Sequence, residues 1–124
     1  MDWDTLIKHD YKKIRMVREP HIEELYQKNK SKYINYDDNI LNSYLSNKLY
    51  NLQPNKYPYH LSNNIKHCVL WLNPMLKSEY IYDKKNIYNI LKKEIKNKEF
   101  YFYMNSPNIR SVKIIPHYQV FIKL

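Results

Sequence analysis

The chain runs for 124 residues without a single glycine. That absence removes whole classes of fold and function, because a dinucleotide-binding fingerprint or a P-loop needs glycine where the backbone closes on a phosphate. Zinc-finger spacing is excluded as well, since Cys68 is the only cysteine. For the same reason no internal disulfide can form, and a reducing, cytoplasmic setting is expected (host cytoplasm for a viral chain). No apolar run approaches the ~20 residues needed to span a bilayer, and the Asp-bearing N-terminus lacks the basic-then-apolar order of a signal peptide. One soluble domain spanning residues 1–124 is the expected organisation.

The formal net charge is +9 and the isoelectric point is near 9.5, a balance that ordinarily points to a polyanionic partner. A second explanation competes with it. The chain also lacks alanine, has only Arg15, Arg18 and Arg110 as arginines, and is rich in Lys, Asn, Ile and Tyr. This is the composition of an AT-rich coding sequence, as in a large DNA virus or an AT-rich protist, where Lys stands in for Arg. Lys92, Lys93, Lys96 and Lys98 form the densest basic cluster, but Glu94 and Glu99 interrupt it, as on a solvated helix face.

Hydrophobic periodicity then orders the chain. Asp2 to Met16 reads as a helix with Trp3, Leu6, Ile7, Tyr11 and Ile14 on one stripe. Pro20 opens a second helix whose apolar face is Ile22, Leu25 and Tyr26. A third is expected from Asp37 or Asp38 to Leu49, with Ile40, Leu41, Tyr44, Leu45 and Leu49 inward. Gln53 to Pro58 reads as an ordered connection.

Ile65 to Leu72 is the first strand, with His67, Val69 and Trp71 on one face and Cys68, Leu70 and Leu72 on a core face. Asp83 caps a fourth helix carrying Ile87, Ile90, Leu91 and Ile95. Glu99 to Met104 is a second strand, and Ser111 to Ile122 is a third, broken or bulged at Pro116. The order helix-helix-helix-strand-helix-strand-strand predicts an α+β fold, a small, mainly antiparallel sheet covered by helices.

Polar residues outside the expected core give a candidate site. His67 and His117 are candidate catalytic residues, able to share proton transfers near neutral pH. Tyr59, Trp71, Asn105, Arg110 and Ser111 are candidate ligand-binding residues. Arg110 beside Ser111 offers donors to a phosphate or carboxylate, and Trp71 is suited to stacking on a sugar or base. The ligand implied is small and anionic, of the phosphorylated sugar or nucleotide class. No cofactor and no metal are expected, because the sequence supplies no ligand spacing of the HExxH kind.

Each of these residues also has a structural reading. A histidine on a strand beside Val and Trp can be a buried, satisfied side chain; Asn105 and Ser111 can close a loop; Arg110 can form a surface ion pair. Two non-catalytic classes compete with the ligand pocket. One is a nucleic-acid binder using the lysines and exposed tyrosines, and the other is a protein-interaction module using the Phe100–Tyr103 edge.

Several motifs occur together and in order. They are Trp3 with Leu6 and Ile7; Arg18-x-Pro20 followed by Tyr26; Tyr33 and Tyr44-Leu45; Pro58-Tyr59; His67-x-Val69-x-Trp71; and Asn105-x-Pro107-x-x-Arg110-Ser111-Val112 with His117-x-x-Val120. Over nearly the whole chain this pattern resembles the N-acetylglucosamine-induced protein family, a domain of unknown function found in fungi with viral and other relatives. The resemblance implies no particular reaction. Members of that family often carry His-x-His in the last strand, where this chain has His117-Tyr118-Gln119, so the departure removes one imidazole and weakens a metal reading.

Overall fold

The computed structural model describes residues 1–12, 16–30, 36–105 and 115–124. Arg110 and Ser111, and the expected strand portion from Ser111 to Ile114, therefore lie outside the described residues, as do Ile14 and Tyr33. The described elements are α1 (Trp3–Lys8), α2 (Pro20–Lys30), α3 (Tyr36–Tyr44), β1 (Tyr50–Pro54), β2 (Ile65–Leu72), α4 (Ser78–Ile81), α5 (Lys84–Ile95), β3 (Phe100–Tyr103) and β4 (His117–Lys123).

The four strands form one antiparallel sheet in the order β1-β2-β4-β3, as expected for the α+β class. β4, the last strand in sequence, sits between β2 and β3. Both central strands are buried along nearly their whole length, because helices cover both faces of the sheet. On one side α4 and α5 pack Ile81, Ile87, Ile90 and Leu91 against Cys68, Leu70, Leu72, Tyr118, Val120 and Ile122. On the other, Trp3, Leu6 and Met16 meet Tyr59, Ile65, Tyr103 and Phe121, while Ile40 and Leu45 meet Val69, Trp71 and Ile115. Cys68 is buried on the side covered by α4 and α5, as its alternation predicts.

Local chemistry explains the boundaries. Asp2 caps α1 by accepting the Thr5 N–H at 2.8 Å, and Asp83 caps α5 by accepting the Lys85 N–H at 3.0 Å. Without glycine, left-handed turn positions fall to other residues. Asn47 has φ of 142° and Lys96 has φ of 63°, placing them at the turns that follow α3 and α5.

Three sequence expectations require correction. The first helix ends at Lys8 and does not reach Met16; His9 is extended and the chain turns so that Tyr11 stacks on Tyr103 at 4.5 Å. A short helix has little stability of its own, so this tertiary contact prevails over the helical stripe, and Ile7 is left exposed. The third helix ends at Tyr44 and does not reach Leu49. The chain reverses at Leu45 to Lys48, where the Asn47 and Lys48 N–H groups both donate to the Leu45 carbonyl, and Leu49 is exposed.

The third correction is a strand that the sequence did not reveal. Tyr50–Pro54 pairs with β2 along its length. Its single aliphatic residue and its proline hide it from pattern reading, and both suit an edge position.

Candidate polar face of the sheet

The pairing register builds the site. Opposed residues in antiparallel strands lie on the same face, so Val69, Gln119 and Tyr103 form one row across β2, β4 and β3, with Gln53 of β1 beside Val69. His67, Phe121 and Tyr101 form the row on one side of it. Trp71 and His117, with Asn51 of β1, form the row on the other. This is the face covered by the N-terminal helices. It is polar in its interior: His67, Gln119, His117 and Asn105 are each less than one-tenth exposed, whereas the opposite face is apolar, a mixture of aliphatic and aromatic side chains.

His67 is held from three sides. Its Nδ1 accepts the Tyr59 backbone N–H at 3.1 Å, which leaves the ring proton on Nε2 for donation to Gln119 Oε1 at 2.6 Å. In that tautomer the Asn55 amide nitrogen, 3.4 Å from Nε2, is a polar contact between two donors and not a hydrogen bond. The ring stacks between Tyr59 at 4.5 Å and Phe121 at 4.7 Å. Burial lowers the His67 pKa from 6.5 to about 4, with the Arg18 charge adding to the effect and the Gln119 hydrogen bond opposing it. The imidazole is neutral near pH 7, with both nitrogens engaged.

His117 shares the face but not the neighbourhood. It pairs with Trp71 while His67 pairs with Phe121, so the two imidazoles stand four positions apart along β2 at ~3.3 Å per residue. The Nδ1–H of His117 donates to the Ile115 carbonyl at 2.9 Å, and its ring lies 4.9 Å from Trp71. Trp71 is buried and stacked on Tyr44 at 6.1 Å. Tyr59 is buried too, and its hydroxyl accepts from Asn105 Nδ2 at 3.3 Å. The structure thus brings Tyr59, His67 and Asn105 together, sets Trp71 and His117 beside each other in the neighbouring part of the face, and does not describe Arg110 or Ser111.

Four polar residues at this face were not singled out from the sequence. Gln119 bridges to His67. Asn51 and Gln53 come with the unanticipated β1, where Gln53 Nε2 donates to Asn51 Oδ1 at 2.8 Å and Asn51 Nδ2 to the Tyr44 carbonyl at 2.9 Å. The fourth is Arg18, whose side chain is only 8% exposed. Its guanidinium lies 4.1 Å from the Tyr26 ring and 5.2 Å from the Tyr59 ring. Its Nε–H donates to the Tyr57 carbonyl at 2.7 Å, and Nη1 pairs with Glu23 at 3.1 Å. Strand alternation from Val120 and Ile122 was the available signal for Gln119. For Arg18 the signals were its scarcity, one arginine of three, and its place in the Arg18-x-Pro20 motif.

One buried donor at this face, the Tyr103 hydroxyl, lacks a hydrogen-bond partner among the described residues, and burial raises its pKa far above the usual phenol value. Among the described residues no group of three or more His, Cys, Asp or Glu side chains is placed to hold a metal ion. No described helix is long and apolar enough to cross a membrane.

Comparison with known proteins agrees with this architecture. The crystal structure titled "Crystal Structure of HTC1" superposes with a TM-score of 0.68 at 16% identity, covering 99% of this chain and 85% of that one. At that identity the likeness is one of fold. A search of curated proteins gives no match. The family model described as "Protein of unknown function (DUF3605)" matches residues 2–123, and its description does not include the N-acetylglucosamine-induced designation. The chain therefore belongs to the DUF3605 family of proteins of unknown function.

Proposed function

We propose that the protein binds a small anionic ligand, of the phosphorylated sugar or nucleotide class, at the polar face of the sheet. The observation that carries this reading is the Tyr103 hydroxyl, buried without a hydrogen-bond partner at the edge of the polar rows. No acidic residue occurs in those rows. A buried donor without an acceptor costs about 1–3 kcal/mol, and a phosphate or carboxylate oxygen is an acceptor that would satisfy it. Arg110 and Ser111 are proposed as further donors to the same ligand.

In this reading His67 positions Tyr59 and Gln119 and does not move protons, because its two nitrogens are already engaged. His117 borders the site beside Trp71. The test is a thermal-shift screen of wild type against inorganic phosphate, sugar phosphates, nucleotides and short RNA at low and high salt, since a ligand of the native state raises Tm by mass action. A salt-resistant shift with a phosphorylated small molecule is expected. A shift seen only with RNA and abolished by salt assigns the protein to nucleic-acid binding; no shift with any of these probes refutes the reading.

A further inference from the structure

The helical layer on the other side of the sheet, α4 and α5, gathers two residue types on its outer surface. Among the described side chains the exposed tyrosines are Tyr80, Tyr82 and Tyr88, at 36%, 57% and 45%, and all three belong to this layer. Residues 77–98 also hold seven lysines against three carboxylates, and every one of these lysines is exposed. Coding bias supplies lysine and tyrosine, but it does not decide where the fold leaves them in solvent.

α5 sorts its charges between its two sides. Ile87, Ile90 and Leu91 pack on the sheet. Glu94, three and four residues beyond Leu91 and Ile90, falls on their side, where it accepts from the Tyr50 hydroxyl at 3.1 Å. Lys85, Asn89, Lys92 and Lys96 follow one another at spacings of three or four on the outward side, with Lys93 beside them and no carboxylate among them. The nearby acids are placed elsewhere: Glu79 is in the first turn of α4, Asp83 accepts the Lys85 N–H at the start of α5, and Glu99 lies 3.9 Å from Lys123. None of the seven lysines makes an ion pair with a described residue.

Tyr88 borders this row on the flank toward β3. Its ring packs on Phe100 at 5.3 Å, and the Lys92 ammonium lies 5.9 Å from its centre. From Lys85 to Lys96 the row extends for ~16 Å at 1.5 Å per residue, longer than one phosphate group. An anchored, half-exposed ring beside a row of unpaired ammonium groups matches what a single strand of nucleic acid presents, a free base to stack and successive phosphates to neutralise. We infer that the outward face of α5 binds single-stranded nucleic acid, with a base on Tyr88 and phosphates at Lys85, Lys92, Lys93 and Lys96. It lies across the sheet from the polar rows and does not depend on the ligand proposed there.

The test is fluorescence anisotropy of a labelled oligouridylate of about 12 nucleotides titrated with the full chain. Lys85→Gln/Lys92→Gln/Lys93→Gln removes charge from the face. Lys8→Gln/Lys48→Gln/Lys56→Gln removes the same charge from exposed positions elsewhere, and Tyr88→Leu keeps an apolar contact for Phe100 without the ring. Saturable binding at low salt is expected. The α5 triple variant should weaken it at least about tenfold and reduce the slope of log K against log salt by about 2, the control triple variant should weaken it less than about threefold, and Tyr88→Leu at least about fivefold. The inference is overturned if oligouridylate does not bind saturably, if both triple variants lose affinity equally, or if Tyr88→Leu binds as wild type does. A duplex of the same length that competes as well as the single strand overturns it equally.

Discussion

Replacing His67 with glutamine changes how stability responds to acid. In the folded chain the imidazole has a pKa of about 4 against an ordinary value of 6.5, so folding favours the neutral ring. The sign follows from linkage: this stability is fully present above pH 6.5 and is lost as pH falls from there toward 4, because the unfolded state takes up the proton first. At ~1.4 kcal/mol per pH unit, the gap between the two values is worth about 3 kcal/mol below both. Between about pH 7 and pH 5 the loss is about 2 kcal/mol.

The His67→Gln variant carries no such titration. It is expected to be less stable than wild type near neutrality by about 1–3 kcal/mol, because the Tyr59 N–H and Gln119 contacts are made less well. The difference between the two proteins should then shrink by about 2 kcal/mol on going to pH 5. Urea unfolding across a pH series measures both quantities, with the slope m as a check that the unfolded state is unchanged. Parallel stability curves for the two proteins would refute the burial and tautomer assigned to His67.

Two further substitutions test the local structure. Lys96 has φ of 63° and ψ of −117°, a combination that strains a side chain-bearing residue, so Lys96→Gly should stabilise by about 1 kcal/mol after the entropy of glycine is offset. Thermal unfolding should show Tm rising by a few degrees; a fall would contradict the turn geometry. Asp83→Ala removes the cap on α5 and should cost about 1 kcal/mol in denaturant unfolding, with Asp83→Asn retaining most of it.

Much of this architecture is legible in the sequence where burial and period coincide. Ile65–Leu72 announces its strand and its two faces, Asp83 marks the start of α5, Pro20 opens α2, and the same-face placement of His67, Val69 and Trp71 follows from strand geometry alone. What the sequence conceals depends on partners far along the chain. Tyr50–Pro54 is a strand because β2 offers it a ladder, and its own composition is that of a loop. The N-terminal stripe through Tyr11 is helical in spacing, yet Tyr103 draws Tyr11 out of the helix. The candidate site divides in the same way. The histidines and Tyr59 stand out as residue types, but which ring nitrogen of His67 meets Gln119, and that Arg18 enters from before α2 to lie over Tyr59, are consequences of register and long-range packing.

The Tyr103 hydroxyl gives the most direct test of the proposed ligand site. It is buried and unpartnered, so Tyr103→Phe removes an unsatisfied polar group while keeping the ring packed on Tyr11 and Phe121. Without ligand, the variant should be as stable as wild type or more stable by about 1 kcal/mol. With glucose 6-phosphate or inorganic phosphate at high salt, wild type should gain Tm and the variant should gain much less. Equal ligand-induced shifts in the two proteins, or no shift in wild type, would contradict the assignment of this face as an anion site.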